Sequence, residues 1–350
     1  MTPSDNKPLR IGVLGCANIA HQFVRDVRPS AQVEVVAVAS RDADKARAFA
    51  AEHGIARYLA GYDALIDDPG VDAIYLPLPN SMHAHWCIRA SAKGKHVLCE
   101  KPLALGLVQA RSIFEAARSH AVMVLEAYPY WFQPQTRDML RFLQADAAGS
   151  IGPVRSMQAS FGFTVARPLG NIRLDPALGG GALLDAGSYP LSLIRLVMGC
   201  APQSVQAHAS WAPSGVDIST SATLLYADGR RAQMACAMDS ANHRRATIVG
   251  ANGTLETEYL NHTAQRPGHR WGYLPSDMRV RRGIANTIAY ETVRSATGSG
   301  FRFAAEAFAR VVAQRDFAAV ERAACASLDI AATLEAIAAS ARSQQPVALG

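Results

Sequence analysis

The 350-residue chain predicts an α/β protein. A doubly wound parallel sheet comes first, and an α+β domain with a large, mostly antiparallel open sheet follows. Three observations carry this expectation. Short apolar runs alternate with helical stretches as far as Glu126, the pattern of parallel strands joined by right-handed crossovers. Beyond that point strand follows strand with tight turns between them. Finally, a 49% apolar chain of this length exceeds what one core usually holds. The expected domains are residues 1–126 and 127–350.

Leu9 to Leu14 is the first apolar run, followed by a glycine-containing turn and a helical stretch to about Arg28. Val33 to Ala39 is the second strand, and Asp42 to Glu52 is helical. Ala73 to Pro77, His96 to Cys99 and Val122 to Leu125 are further strands, with helices near 82–93 and 107–119 before the last two. After Glu126 a helix is expected from Gln135 to Leu143. Met157, Ala159, Phe161 and Phe163 then alternate with Ser156, Gln158, Ser160 and Gly162, so one face of a sheet is packed and the other is more polar. Strand-like runs follow near 203–211, 219–227, 230–238, 245–250 and 254–259, with Asp228-Gly229 as a hairpin turn. Gly179 to Gly181 lead into a helix reading "ALLDAGSYPLSLIRLVMG". Residues 260–300 read as a long irregular connection, and 301–341 as helix with a break near 316 or 326.

Composition narrows the function classes. The formal charge is +6, yet the basic residues are dispersed. The short clusters Arg279 to Arg282 and His243 to Arg245 read as solvated faces, and nothing resembles a nucleic-acid stripe. No segment approaches the roughly 20 continuous apolar residues of a membrane span, and the start lacks an apolar targeting core. A soluble, cytoplasmic protein is expected. Six dispersed cysteines without a CxxC pair are expected to be free thiols.

The first turn reads "GVLGCANIA". Gly15-x-Ala17-x-x-Ala20 fits a dinucleotide fingerprint with alanine in the second place, between a strand and a helix as the motif requires. Gly15, Ala17, Asn18 and Ile19 would bring backbone N–H groups and a helix N-terminus to a pyrophosphate. The alternative is a plain strand-to-helix turn. The second strand ends at Ser40-Arg41, where an NAD site usually has an acid. Ser40, Arg41 and Lys45 suit a 2′-phosphate, which favours NADP over NAD. The alternative there is helix capping by Ser40 or Asp42. In "PLPNSMHAHW", Pro77, Leu78 and Asn80 lie on the carboxyl edge of the fourth strand, where ligands of such sheets bind. Asn80 or Ser81 would cap the next helix. His83 either touches the cofactor or is satisfied by packing. No metal is expected, because His83 and His85, two apart on a helix, do not face each other.

Lys101 ends the fifth strand in "VLCEKPLAL". It is one of five lysines among 35 basic residues, and no lysine follows it. Pro102 biases it to an extended backbone and stops the strand. The alternative is a surface loop lysine. Arginine would serve a surface charge, but it cannot give up a proton near neutral pH, whereas a partly desolvated lysine can. Asp185 and Tyr189, four apart, are expected on one helix face, with Gly179 to Gly181 allowing a close approach at the helix start. The alternative is a structural hydrogen bond.

Five segments together, "IGVLGCANIA", "LPLPNSMHAHW", "GKHVLCEKPLAL", "LEAYPYWFQPQ" and "GGGALLDAGSYPLSLIRLVMG", resemble the glucose–fructose oxidoreductase / inositol dehydrogenase (Gfo/Idh/MocA) family in order and spacing. The resemblance spans nearly the whole chain. It implies a Rossmann domain, a second α/β domain with an open sheet, NAD(P), and catalysis on a sugar or cyclic polyol. It makes Lys101 the catalytic lysine, with Glu100 and Pro102 supporting it near the nicotinamide ribose. Many members have histidine where this chain has Tyr189. Tyrosine is similar to the branch of sugar and dihydrodiol dehydrogenases and nucleotide-sugar 3-ketoreductases, where it exchanges the proton. Asn171 and Arg173 resemble residues that reach the nicotinamide or substrate. The expected reaction is NADP-dependent hydride transfer at a carbinol carbon. Tyr189 moves the hydroxyl proton, Lys101 hydrogen-bonds the same oxygen and favours phenolate, and Asp185 positions a substrate hydroxyl or the lysine. The rivals are a nucleotide-sugar 3-ketoreductase, with Arg279, Arg281 and Arg282 for a second diphosphate, and a non-catalytic NADP-responsive sensor. A homo-oligomer is expected from the open sheet.

Overall fold

The computed structural model describes residues 7–144, 149–166, 170–259 and 276–350. Its contacts fall into two compact units. The first holds the chain to Ala104, Val108–Pro129 and Ser299–Ser327; the second holds Leu105–Leu107, Tyr130–Gly298 and Leu328–Gly350.

In the first unit the order is β1 (Leu9–Leu14), α1 (Asn18–Val27), β2 (Val33–Ser40), α2 (Ala43–His53), β3 (Arg57–Ala60), α3 (Tyr62–Ile66), β4 (Ala73–Leu76), α4 (His83–Ala92), β5 (His96–Glu100), α5 (Leu107–Ser119) and β6 (Val124–Ala127). The strands lie in the order β3-β2-β1-β4-β5-β6, and every pairing is parallel. This is the doubly wound sheet expected. Sequence order reverses between β1 and β4, so the crevice at their carboxyl ends is the ligand position of such folds. All four residues of β4 and all four of β6 are buried, which is why β4 reads as an unbroken apolar run and β6 as one broken only by Glu126. Helix α1 buries Ala20, Phe23, Val24 and Val27, a spacing that puts one apolar stripe on the sheet. Phe23 stacks flat on Tyr75 of β4, with ring centroids 3.7 Å apart.

In the second unit α6 (Pro134–Leu143) precedes β7 (Val154–Thr164), α7 (Ser188–Met198), β8 (Ser204–Trp211), β9 (Asp217–Leu225), β10 (Arg231–Ala237), β11 (Asp239–Gly250), β12 (Gly253–Thr257), β13 (Ser276–Arg282) and β14 (Glu291–Ser295). Two helices follow, α8 (Gly300–Gln314) in the first unit and α9 (Phe317–Ser343), before a short β15 (Val347–Ala348). The sheet runs β14-β13-β12-β11-β7-β10-β9-β8-β15. Among the described residues of this sheet only β7 with β10 pairs parallel. Met157, Ala159 and Phe161 of β7 are buried while Gln158 is exposed, as period two requires. Gly229 takes φ 83° in the expected hairpin between β9 and β10.

Two local expectations are corrected, and of the two positions offered for a helical break the first is met. Within 260–300, residues 276–282 and 291–295 are strands that extend the sheet; 260–275 lie outside the described residues. Met278 and Val280 alternate with arginines there, so the charge masked a period-two strand. The helical break falls at Arg315 (φ 52°) and Asp316, and α9 runs through 326 unbroken. Helix α9 is also long and apolar enough to cross a membrane, unlike anything anticipated. Alanines supply much of that character, and half of its most apolar window is buried in the protein.

Candidate active site

The crevice edge of the first unit is built by backbone geometry. Gly15 has φ 113°, and a Cβ there would lie 2.7 Å from Leu78 Cδ2, so glycine is required twice over. Ala17 occupies the N-cap of α1 with no side-chain cap, and the first turn, Asn18 and Ile19 included, carries no acid. An uncapped ten-residue helix with its positive end bare is suited to an anion. At the end of β2, Ser40 Oγ accepts from the Asp42 amide (3.2 Å). Asp42 itself caps α2, accepting from the Asp44 (3.0 Å) and Lys45 (3.2 Å) amides, so its carboxylate is committed to the helix. Arg41 and Lys45 are exposed beside it. This is a cationic lip and not the acid of a ribose site.

The loop after β4 carries Pro77, Leu78, Pro79 and Asn80. Asn80 lies inside a 3₁₀ turn, Asn80–Met82, and neither that turn nor α4 has a side-chain cap, in contrast to the capping expected. His83 is fully buried, with Nδ1 2.8 Å from the Pro102 carbonyl and Nε2 2.8 Å from the Leu78 carbonyl. The ring therefore presents no nitrogen to a cofactor, against the contact expected, and ties two crevice loops together. Burial pushes its pKa below the ordinary histidine value, against the pull of the two carbonyls.

Glu100, the last residue of β5, is buried and accepts from the Tyr75 hydroxyl at 2.7 Å. Lys101 is half-buried, and the Lys101–Pro102 peptide is cis. Behind it the buried Glu126 accepts from the Leu103 amide at 2.8 Å. Burial raises the Glu126 pKa; the Lys101 charge, among smaller influences, works the other way. Lys101 thus stands at the carboxyl edge of the sheet with a buried carboxyl behind it.

In the second unit the three glycines shape the entry to Tyr189. A Cβ on Gly180 would lie 2.5 Å from the Arg173 carbonyl oxygen, and one on Gly181 (φ 119°) 2.4 Å from Asp217 Oδ1. The following turn, Leu183–Gly187, is a π turn leading into α7. Asp185 and Tyr189 therefore do not share a regular α-helical face, because the wider turn adds a residue between them. Asp217 fastens its start, accepting from the Leu183 amide and the Thr220 hydroxyl, both at 2.7 Å. Asp185 Oδ2 accepts from Arg173 Nε at 2.6 Å, and Arg173 in turn is fixed by the Asn171 cap of its own turn.

Tyr189 is 7% exposed. Its ring meets Phe161 edge-on at 5.2 Å and tilts against Tyr130 at 6.4 Å. Ser192 Oγ donates to the Tyr189 carbonyl (2.8 Å) and lies 2.6 Å from the Tyr130 hydroxyl, which accepts from Trp131 Nε1 at 2.7 Å. Arg244, read from sequence as a solvated residue, pairs across strands with Phe161 and so shares its face of the sheet. Burial lowers its pKa, while Tyr189 and Tyr259 act to keep it charged. Arg244 and Asp217 are the site residues that sequence reasoning missed. Neither had a signal in the chain: Arg244 shares a face with Phe161 only through the pairing of β11 with β7, and Asp217 acts on a turn far from it in sequence. Arg279 is paired with Glu256 and Arg282 with Glu291, and Arg281 lies over Tyr290, so the cluster offered for a second diphosphate has local partners.

An uncapped helix N-terminus beside a cationic lip in one unit and a nearly buried phenol in the other suit a nicotinamide-dependent oxidoreductase. Comparison with known proteins narrows that class. Residues 9–128 match the family model described as an oxidoreductase family with an NAD-binding Rossmann fold, and residues 140–256 match the GFO/IDH/MocA C-terminal domain. The chain belongs to the Gfo/Idh/MocA oxidoreductase family. It is 30% identical to D-xylose 1-dehydrogenase (NADP(+)) 2 of Haloferax volcanii over 341 residues, 97% of this chain and 100% of that one. The crystal structure of KijD10, a 3-ketoreductase from Actinomadura kijaniata in complex with NADP and TDP-benzene, superposes with a TM-score of 0.82 at 30% identity, covering 95% of this chain and 98% of that one. Aldose-aldose oxidoreductase from Caulobacter crescentus, complexed with glycerol, gives a TM-score of 0.81 at 26% identity over 98% and 100% of the two chains.

Proposed function

We propose that this protein is an NADP-dependent oxidoreductase acting at a carbinol carbon of a sugar or related cyclic polyol, in the manner of an aldose dehydrogenase or reductase. The observation that carries the reading is Tyr189, a nearly buried phenol on aromatic neighbours with the Arg244 guanidinium close by. NADP, when bound, carries the hydride. The bare N-terminus of α1 holds the pyrophosphate, and Arg41 and Lys45 hold the 2′-phosphate. Tyr189 Oη exchanges the proton of the reacting hydroxyl, and Lys101 Nζ donates a hydrogen bond to that oxygen. Arg244 favours the phenolate as the proton leaves. Asp185 and Arg173, joined to each other, orient further substrate hydroxyls. Phe161, Tyr130 and Trp131 supply apolar faces for a sugar ring and keep water from the phenol. The outer face of the sheet, with Gln158 and Gln233 exposed, supports a homo-oligomer, and six free cysteines support a reducing, cytoplasmic setting.

One observation favours a second reading. A 3-ketoreductase from sugar-nucleotide chemistry superposes as well as a sugar oxidoreductase does. The deciding experiment is NADPH turnover, followed by fluorescence, with a panel of aldoses, ketoses and sugar nucleotides. Turnover of free sugars supports the main reading, and turnover of nucleotide-linked sugars alone supports the second. NADPH binding with no turnover across the panel contradicts both and leaves a sensor.

A further inference from the structure

Away from the crevice, α1 and α2 bring three ligand-type side chains together within the first unit. His21 projects from α1. Glu52 and His53 end α2. His21 Nδ1 lies 2.8 Å from His53 Nε2 and 3.2 Å from Glu52 Oε1, and His53 Nε2 lies 3.6 Å from the same oxygen. These atoms form a compact triangle of unequal edges. Donors at about 2.0–2.1 Å from a tetrahedral zinc ion are separated by about 3.3–3.4 Å, which lies within the range of those edges. A proton on His21 Nδ1 can serve His53 Nε2 and, at the longer distance, Glu52 Oε1, but it leaves the edge between those two acceptors with nothing to share. With His21 Nδ1 unprotonated, three ligand-type acceptor atoms stand together.

We propose that His21, Glu52 and His53 form a binding site for a zinc-like divalent cation, with an open fourth position for water. Two features of the surroundings prepare it. The imidazoles flank the buried Phe49, at 4.5 and 4.6 Å between centroids, so packing holds both ring planes. Glu52 and His53 also stand on the last turn of α2, where the helix's unpaired carbonyls favour a cation; Gly54 (φ 65°) closes that helix. Arg25 and Arg28 lie near enough to His53 to act against a cation, and the Glu52 charge and the helix end offset them. His21 and Glu52 are half-exposed or exposed, so the ion has a path from water. A His₂Glu set with water is an established zinc environment in proteins generally. Bound there, the ion joins α1, the helix whose N-terminus faces the crevice, to α2, which begins at the cationic lip.

The test uses tag-free, chelator-stripped full-length protein titrated with zinc against a chromophoric chelator, and with cobalt followed by visible absorption. One equivalent should bind, cobalt should give the intense d–d bands of a four-coordinate site, and zinc should raise the melting temperature. His21→Gln and Glu52→Gln, both at accessible positions, should each weaken binding by about tenfold or more while circular dichroism stays unchanged. No binding at micromolar zinc overturns the proposal. So does one equivalent that survives both substitutions, or one lost instead with Cys16→Ser, Cys200→Ser or Cys325→Ser.

Discussion

Gly180→Ala tests whether the turn that sets Arg173 and Asp185 depends on a backbone contact. The φ of Gly180 is outside the left-handed region, so only space resists the methyl group. Its carbon would lie 2.5 Å from the Arg173 carbonyl oxygen and 2.9 Å from that of Asp175. The first contact must open by half an ångström to reach 3.0 Å, below which real side-chain carbons essentially never pack. Neither neighbour is a flexible tip. Both oxygens also accept from this turn, Asp175 from the Gly180 amide (2.9 Å) and Arg173 from the Gly181 amide (2.8 Å). Overpacking costs about 1–3 kcal/mol, and rigid backbone neighbours place this case near the top of that range. For a unit of about 200 residues this lowers the melting temperature by roughly 4–12 °C. The displacement also moves Arg173 away from Asp185, so kcat/KM with a turned-over sugar should fall by about tenfold or more. Gly199→Ala is the control. Gly199 has φ 79° and open space around it, so alanine there costs about 1–2 kcal/mol of backbone strain and leaves kcat/KM near wild type. A Gly180→Ala protein melting within 2 °C of wild type, as a rough threshold set by the ~2–4 °C per kcal/mol scale, with unchanged kcat/KM, would refute the reasoning.

Other substitutions test neighbouring parts of the account. Arg244→Gln removes the positive charge beside Tyr189, so the pH profile of alcohol oxidation, in which Tyr189 acts as the base, should move its acid limb to higher pH. An unmoved limb would mean that Arg244 serves packing alone. Glu126→Gln tests a buried carboxyl whose pKa is raised in the folded state. Its stabilising contribution is full below the unfolded glutamate value of about 4.3 and is lost as pH rises through the folded value. The amide keeps an acceptor for the Leu103 amide, so the variant should gain stability over wild type progressively from acid to neutral pH. Parallel melts across that range check it; a difference constant with pH, or shrinking as pH rises, goes against the assignment.

Much of the fold was legible because the first unit obeys a simple grammar. A strand buried on both faces, such as β4, reads as an unbroken apolar run, and α1 shows its stripe at helical spacing. Legibility failed where charge sits on a strand. In β13 the buried Met278 and Val280 are interleaved with arginines, and the segment reads as loop. The π turn before α7 was hidden for a different reason. It is held by Asp217, more than thirty residues on, so the local pattern of "LLDAG" shows only a helix. At the candidate site, Lys101 and Tyr189 stood out through residue type and position. Arg244 did not, because its partner Phe161 is distant in sequence and only the sheet register unites them. His83 was offered as a cofactor contact because the chain cannot show that its two nitrogens face the Pro102 and Leu78 carbonyls.

The central claim is that Tyr189 carries the proton. Its most direct test is the turnover number of Tyr189→Phe with NADP and a sugar that the wild type oxidises, alongside the NADPH dissociation constant. The phenylalanine ring keeps the contacts with Phe161 and Tyr130 and removes only the hydroxyl. The account predicts a fall in kcat of about 10²–10⁴ with cofactor affinity unchanged. A kcat retained within about twofold, far short of that general acid–base range, would contradict it.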